Sequence, residues 1–507
     1  MDRSKDDAAD RSTTDPDVGA DFLQLRSAEA PLGGLAGWLT ARLRSAIAEG
    51  RLPVGSRLPP SRQLAAELRV SRGVVTEAYR RLAEDGHVAG RGRGGTVVLA
   101  APEAAAGGGG EQHADRARPF TAFPPGPEVF DTLRAAPSRV DLSPGVPDLS
   151  AFPRAAWLRA ERAVLAGLAA GGFGYGDPRG AYELRRAVAA WLARFRGVAA
   201  DPDEVVIVAG TAQALTLLAR VLAAHGVREV AVEDPGSLGV RQHLRHVLPA
   251  TPPVPVDAEG IRVDALRATG ARAVLLTPAH QFPTGVVLSG PRRRQLMAWA
   301  EEGGLVIEDD YDAEHRYDRP PVAALRAALP GRVCYAGSVS KVLAPALRLG
   351  WVLAPAPYHD ALVAEKRFTD LGNAVLAQLV LARLMESGVL EAQLRLLRRR
   401  HRSRRDAMTA AIRRYLPGAV VHGAAAGLHL TVTFAEDSVS DLALSAASLD
   451  RGVKVQPLSW HRQLPGGPGL VLGYAANSPD VLASAVAEVG AARSELLSAG
   501  RSAPSTG

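Results

Sequence analysis

Lys341 stands in the stretch GSVSKVLAPALRLGW, just after Ser338 and Ser340 and seven residues before Arg348. A neutral lysine amine can condense with an aldehyde, and burial beside other cations lowers its pKa enough to make it nucleophilic. Hydroxyls and a guanidinium at this spacing suit a phosphate dianion. The choice of lysine is informative, because only four of the 60 basic side chains are lysine. The others are less apt for such chemistry: Lys5 is in a polar N-terminal stretch, Lys366 in AEKRF, and Lys454 follows RGV on a late strand.

An amine with this setting predicts companions for pyridoxal 5'-phosphate. An acid beside the pyridine nitrogen keeps the ring protonated, so that it can act as an electron sink. LVIEDDY supplies Asp309 at a strand end, with Tyr311 two positions on, on the same side and within reach of the ring's 3-hydroxyl. A phosphate cradle should follow another strand at a helix N-terminus, where free N–H groups meet the anion. VVIVAGTAQALTLLARVL gives that arrangement, with Gly210, Thr211, Ala212 and Gln213 at the turn.

Positioning these groups requires a large sheet. The runs 205–210, 229–234, 273–278, 305–310, 333–338 and 349–354 are short and rich in Val, Ile and Leu, as a sheet covered on both faces requires. Helical stretches lie between them, which predicts a three-layer α/β domain with a mostly parallel sheet. LHLTVTF, KVQPL and LVLGYA, with helices between, predict a smaller C-terminal α+β subdomain. The one cysteine, Cys334, cannot form an intrachain disulfide and reads as a buried strand position.

At 507 residues the chain exceeds one ordinary core, and 47% apolar with 22% charged residues is globular composition. The N-terminus has no apolar signal-like region, and no apolar run approaches membrane-spanning length, so a cytoplasmic protein without membrane attachment is expected. The expected division is a disordered tail over 1–30, a basic module over 31–100, a linker over 101–137, the sheet domain over 138–495 and a second tail over 496–507.

The net charge of +7 is unevenly distributed: residues 33–100 hold eleven Arg against five acids. That asymmetry favours a polyanion partner. Leu35, Leu39, Leu43 and Ile47 mark one amphipathic helix. A short helix from about Ser61 to Leu68, a tight connection, a helix from Ser71 to about Glu84 and a β-hairpin ending at Leu99 should follow, with Ser61 and Ser71 as N-caps. In the second helix of that pair Val74, Val75, Ala78 and Leu82 face inward. Arg72, Thr76 and Arg80 are left on an outer face able to enter a major groove. Arg91 and Arg93 sit on a glycine-rich turn suited to a phosphate backbone or minor groove.

This segment resembles the winged helix-turn-helix of GntR-type transcription regulators, through GRLPVGSRLPPSRQLAAELRVSRGVVTEAYRRLAEDGHV and RGRGGTVV. The resemblance puts DNA-contacting positions at Arg62, Ser71, Arg72, Thr76, Arg80, Gly95 and Thr96, with Arg93 in the wing. Gly73 departs from the family, where a hydroxylated residue is more usual.

From about Val140 to Ser494 the chain resembles the fold-type I aminotransferases, through GYGDPRGAYELRRAVAAWL, VAGTAQAL, VEDPG, TPAHQFPTG, IEDDYDAEHRY and SVSKVLAPALRLGW. That resemblance implies that Lys341 is the internal aldimine lysine, Asp309 the pyridinium partner and Tyr311 the ligand of the 3-hydroxyl. Gly210, Thr211, Ala212, Ser338 and Arg348 would hold the phosphate. Tyr175 would reach the phosphate in a neighbouring subunit, and His280 would serve as a structural hydrogen-bond partner or a ligand contact. The two halves together resemble the MocR or GabR type of pyridoxal-phosphate-dependent regulators. Members of that type sense a small molecule and bind DNA as head-to-tail homodimers.

Two departures bear on the choice between sensor and enzyme. Ser237 stands where an aromatic usually stacks on the pyridine, and Val471 where an arginine usually pairs with a substrate carboxylate. Both argue against efficient transamination. Arg462 in SWHRQLPGG is a candidate replacement from a loop. The expected function is a regulator of a double-stranded DNA operator, with pyridoxal phosphate itself or an aldimine-forming amine or amino acid as effector. The alternative is an aminotransferase whose DNA-binding module is vestigial or autoregulatory. Arg398, Arg402 and Arg405 share one helical face and read as a solvated or dimer-lining surface, with added DNA contact as the alternative.

Overall fold

The computed structural model describes residues 25, 30–31, 34–48, 51–90, 95–99, 119–120, 123–317, 322–434 and 439–502. The chain divides into two units, residues 1–110 and 111–507.

In the first unit α1 (Leu35–Ala48), α2 (Ser61–Leu68) and α3 (Arg72–Glu84) precede a hairpin of β1 (Val88–Gly90) and β2 (Thr96–Val98). The apolar stripes converge, so that Leu39, Leu43, Ile47, Leu64, Val75, Ala78, Leu82 and Val98 form one core. Leu25, inside the segment expected as a tail, is buried in it; most of 1–30 lies outside the described residues. Ser71 caps α3 by accepting from the Val74 N–H. Ser61 does not cap α2. It is the first helical residue, after Pro60, whose extended backbone leads into the helix.

The second unit is built on an eight-stranded sheet. Its strands, with the two-residue β3 (Val140–Asp141) elsewhere, are β4 (Val206–Val208), β5 (Ala231–Asp234), β6 (Pro253–Asp257), β7 (Gly260–Ile261), β8 (Ala273–Leu276), β9 (Leu305–Asp310), β10 (Val333–Ser338) and β11 (Gly350–Leu353). The order is β4-β11-β10-β9-β8-β5-β6-β7. β5, β6, β8, β9 and β10 run parallel, while β11 is antiparallel to both its neighbours. Alternate side chains feed two faces: Ile207, Tyr335, Trp351 and Leu353 one core, Val206, Val208, Cys334 and Ala336 another. All six expected strands lie in this sheet, and Cys334 is fully buried.

The smaller sheet is β12 (Ala419–His422), β13 (His429–Phe434), β15 (Gln456–Pro457) and β16 (Gly469–Gly473), in the order β12-β13-β16-β15. Between them β14 (Val453–Lys454) pairs parallel with β3, setting Lys454 opposite Asp141. The helices 389–415 and 479–502 pack on this sheet around Met408, Ile412, Leu482 and Val486. The last helix continues to Ser502, beyond the expected start of a C-terminal tail.

The expected linker also ends sooner than position 137. Residues Val129–Ala135 form a helix, α4. Phe120 stacks on Trp460 at 5.2 Å, Phe130 meets it edge-on, and Val129 and Leu133 join the same cluster. Apolar side chains at this spacing gain more by covering Trp460 than by remaining in a solvated chain. Residues 101–118 lie outside the described residues.

Candidate functional site

A cavity of about 460 Å³ opens at the C-terminal ends of the strands, lined by Thr211, Ala212, Asp309, Tyr311, Ser338, Ser340, Lys341 and Arg348. Residues 130 positions apart in sequence meet because β4, β9 and β10 end on the same side of the sheet, the usual place for a ligand in such folds. The parallel register pairs Ala336 with Asp309, which brings Ser338 and Lys341 beside that carboxyl.

Gly210 (φ +77°) precedes the helix Thr211–Ala224, and a Cβ there would lie 3.2 Å from the Arg348 guanidinium. The free N–H groups of that helix therefore open directly toward a cation, a setting for a phosphate. Arg348 also donates to the Ala209 carbonyl. Gln213 is engaged elsewhere, accepting from the Ala209 N–H and donating to Asp370.

Burial pushes the Asp309 carboxyl up to about 7, with Asp310 and Asp312 adding to the rise and Lys341 opposing it. Its Oδ1 is buried and has no hydrogen-bond partner. A carboxyl in this state needs a cationic donor, which a pyridinium N–H provides. Burial also pushes the Lys341 amine below the ordinary lysine range, against the pull of Asp312 and Asp309. That amine donates to the Gly145 carbonyl. An orphaned acid, a lowered amine and an anion-binding helix end in one cavity fit pyridoxal phosphate.

Tyr311 donates to the His280 carbonyl, and its hydroxyl lies 3.1 Å from His280 Nδ1, which in turn is 2.9 Å from Asp312. His280 is buried and absent from the cavity lining, and its ring pairs with Tyr311 and Asp312. Tyr175 does not approach this cavity in its own chain and is 94% exposed.

Ser237 lines the cavity, accepts from the Val240 N–H as a helix cap and borders a void of about 20 Å³. The imidazole of His461, held neutral by burial with its pKa near 3, stands beside it: its Nδ1 accepts from Leu238 N–H at 3.4 Å. Val471 is fully buried in the small sheet and does not line the cavity. Arg462 does not line it either; it packs against Gly466.

Sequence reasoning missed His461, His243, Gln456 and above all Lys454, which line the same cavity. The i, i+2 spacing of Lys454 and Gln456 was the available signal, since it puts both on one side of an extended segment. It also missed α4, which contributes Phe130, Leu133 and Arg134 to the wall.

In the first unit Arg62, Arg72, Thr76 and Arg80 are exposed, as a groove-facing surface requires. Arg72 Nε is 3.4 Å from the Ser61 hydroxyl. Arg80 is gripped by Glu77 and Glu84, one turn away on either side, and Arg80 with Arg81 holds Glu77 down to about 2. The Ser71 hydroxyl is engaged in its cap. Gly95, at φ +77°, immediately precedes the second hairpin strand, which Thr96 begins opposite Gly90. Arg91 and Arg93 fall outside the described residues.

Arg398, Arg402 and Arg405 do not form a free basic face. Their guanidiniums donate to the carbonyls of Glu314, Tyr317 and Ala424 in the same unit. Backbone carbonyls left outside the sheet require donors, and this helix supplies them.

Fold and cavity together define a pyridoxal-phosphate type of aminotransferase scaffold joined to a winged helix. Residues 138–467 match the class I and II aminotransferases, and residues 36–98 match the bacterial regulatory proteins of the gntR family. The chain is 30% identical over 469 residues to the Rhizobium meliloti protein named "Probable rhizopine catabolism regulatory protein MocR", covering 91% of this chain and 94% of that one. It is 32% identical over 454 residues to the pyridoxine biosynthesis transcriptional regulator PdxR of Corynebacterium glutamicum, covering 89% and 94%. The solved structure of α-aminoadipate aminotransferase LysN from Thermus thermophilus, complexed with N-(5'-phosphopyridoxyl)-L-leucine, superposes with a TM-score of 0.65 at 28% identity, covering 71% of this chain and 93% of that one. The chain belongs to the class I and II aminotransferase family and, with its GntR-type N-terminal domain, to the MocR-type transcription regulators. No helix among the described residues is long and apolar enough to cross a membrane.

Proposed function

We propose that this regulator binds its DNA operator through Arg62, Ser71, Arg72, Thr76, Arg80, Arg93, Gly95 and Thr96, and that occupancy of the Lys341 cavity sets how it does so. The observation that carries the reading is the unpartnered, buried Asp309 oxygen in the same cavity as Lys341 and Arg348. Pyridoxal phosphate, when bound, supplies an aldehyde for amines and an electron-withdrawing ring.

The chain's own groups divide the work of holding it. Lys341 offers the amine, whose pKa is lowered so that a neutral form is accessible. Asp309 accepts the pyridinium proton's hydrogen bond. Tyr311, fixed by His280, faces the 3-hydroxyl. Gly210, Thr211, Ala212, Ser338 and Arg348 take the phosphate, and Tyr175 of one subunit completes the site of another in a head-to-tail homodimer. Its near-complete exposure in a single chain supports that use.

A sensing role rather than efficient transamination is supported by Ser237 and by the buried Val471, which put neither a ring nor a guanidinium at the two positions where aminotransferases of this type usually carry them. The effector is then pyridoxal phosphate itself or an amine that reacts with it, and a ligand-dependent shift between two arrangements transmits its presence. The cytosol, where operator DNA is found, is the working compartment. The test is titration of the chain's own upstream DNA with and without pyridoxal phosphate. Unchanged affinity, together with multiple-turnover amino transfer, would replace this reading with the enzyme.

A further inference from the structure

Lys454 is the second lysine of the cavity, and its surroundings do not satisfy it. Its side chain is 5% exposed. The nearest acceptors are the Arg134 carbonyl at 3.4 Å and an Asp141 oxygen at 3.7 Å. Both are long for a charge-assisted bond, and a buried ammonium held so loosely is under-compensated. The Asp141 carboxylate is itself 40% exposed, so water weakens the little it gives.

Placement relates Lys454 to Lys341. β14 sets Lys454 opposite Asp141, and four residues further along the chain the Gly145 carbonyl accepts from Lys341. A four-residue segment spans at most about 14 Å. The two amines therefore approach one cavity from opposite ends of a segment no longer than a small molecule. Gln456, two residues on, lines the same cavity; its Oε1 lies 3.3 Å from His461 Nε2, and its amide carries two N–H donors. Gln456 is also the residue directly across from Val471 in the β15–β16 register. The position where the resemblance expects a cation thus faces a neutral amide across the ladder, two residues along the chain from Lys454.

We propose that Lys454 and Gln456, with Arg134 of α4 at the rim, form a carboxylate subsite, so that the effector is an amine bearing a carboxylate, its nitrogen toward Lys341. This rests on the cofactor reading above and names the ligand class for it. A point-charge ammonium plus one amide donor suits a carboxylate, while Thr211, Ser338 and Arg348 serve the phosphate at the other end.

The test is calorimetric binding of two reduced adducts to the full chain: N-phosphopyridoxyl-L-aspartate and N-phosphopyridoxyl-ethylamine. The wild type should prefer the aspartate adduct by about tenfold or more, as a charged hydrogen bond provides, and Lys454→Gln should reduce that ratio to below about threefold. Equal binding of the two adducts by the wild type, or an undiminished ratio in Lys454→Gln, overturns the subsite. If Lys454→Gln does not fold, Asp141→Asn decides. It keeps the Oδ1 that accepts from Ser143 N–H at 2.7 Å and removes the competing charge. The ratio must then rise above that of the wild type, and a lower or equal ratio refutes the inference. Failure of the wild type to bind pyridoxal phosphate or either adduct is a different result, which removes the cofactor reading and the subsite with it.

Discussion

The Lys341 amine donates to the carbonyl of Gly145, and a Cβ on Gly145 would stand 2.9 Å from that nitrogen. Gly145 also has φ +83°, so any side chain there is strained by about 1–3 kcal/mol. Gly145→Ala should lower the melting temperature and weaken pyridoxal phosphate binding by roughly tenfold. Lys341→Ala should remove the visible absorption of lysine-bound cofactor altogether, which a spectrum reads directly.

Asp309 gives a pH dependence whose sign is fixed. Its carboxyl rises from 3.8 to about 7 on folding. Between those values the native state keeps a proton that the unfolded chain has released, so this group's contribution to stability falls as pH rises from about 4 to about 7. Cofactor-free Asp309→Asn lacks that loss. Denaturation across this range should show the variant gaining on the wild type up to about pH 7 and no further. With cofactor added the order reverses, and Asp309→Asn should bind pyridoxal phosphate at least about tenfold more weakly.

On DNA, Arg62→Ala and Arg72→Ala should each weaken binding and lower the slope of log affinity against log salt by about 1 if they meet phosphates. Arg80→Ala should cost less, because Glu77 and Glu84 already hold that guanidinium. Alanine at Arg398, Arg402 or Arg405 should leave the salt slope unchanged and instead destabilise the sheet domain, since each guanidinium satisfies a backbone carbonyl there. Fluorescence anisotropy at several salt concentrations separates the two classes.

Val471→Arg should not add a carboxylate-binding guanidinium to the cavity. The position is fully buried between Thr431 and Gln456 in the small sheet. An unpaired guanidinium there should destabilise by about 3 kcal/mol or more, measurable by urea unfolding.

Much of this was legible in the sequence because local patterns carried it. Six Val- and Ile-rich runs mark the sheet, and Lys341, Asp309 and Thr211 follow or end such runs, which is why they meet in one cavity. Lys454 was not legible, because its access to the cavity depends on pairing with Asp141 more than 300 residues earlier. The same holds for His461, which stands beside Ser237 only because the small domain folds back on the helix Leu238–Arg245. α4 was obscured by neighbouring Gly and Pro, and its partner Trp460 lies near the opposite end of the chain. Arg398, Arg402 and Arg405 read as a surface since periodicity records a helical face but not what lies against it.

If the state of Lys341 governs DNA binding, as proposed, cofactor and amine must act together on operator affinity. The most direct measurement is the affinity for the upstream operator, with and without pyridoxal phosphate, in the wild type and in Lys341→Ala. A cofactor-dependent change of at least about fivefold, the lower end of ordinary coupling between sites, is expected in the wild type and none in the variant. An equal change in both proteins, or no change in either, would contradict it.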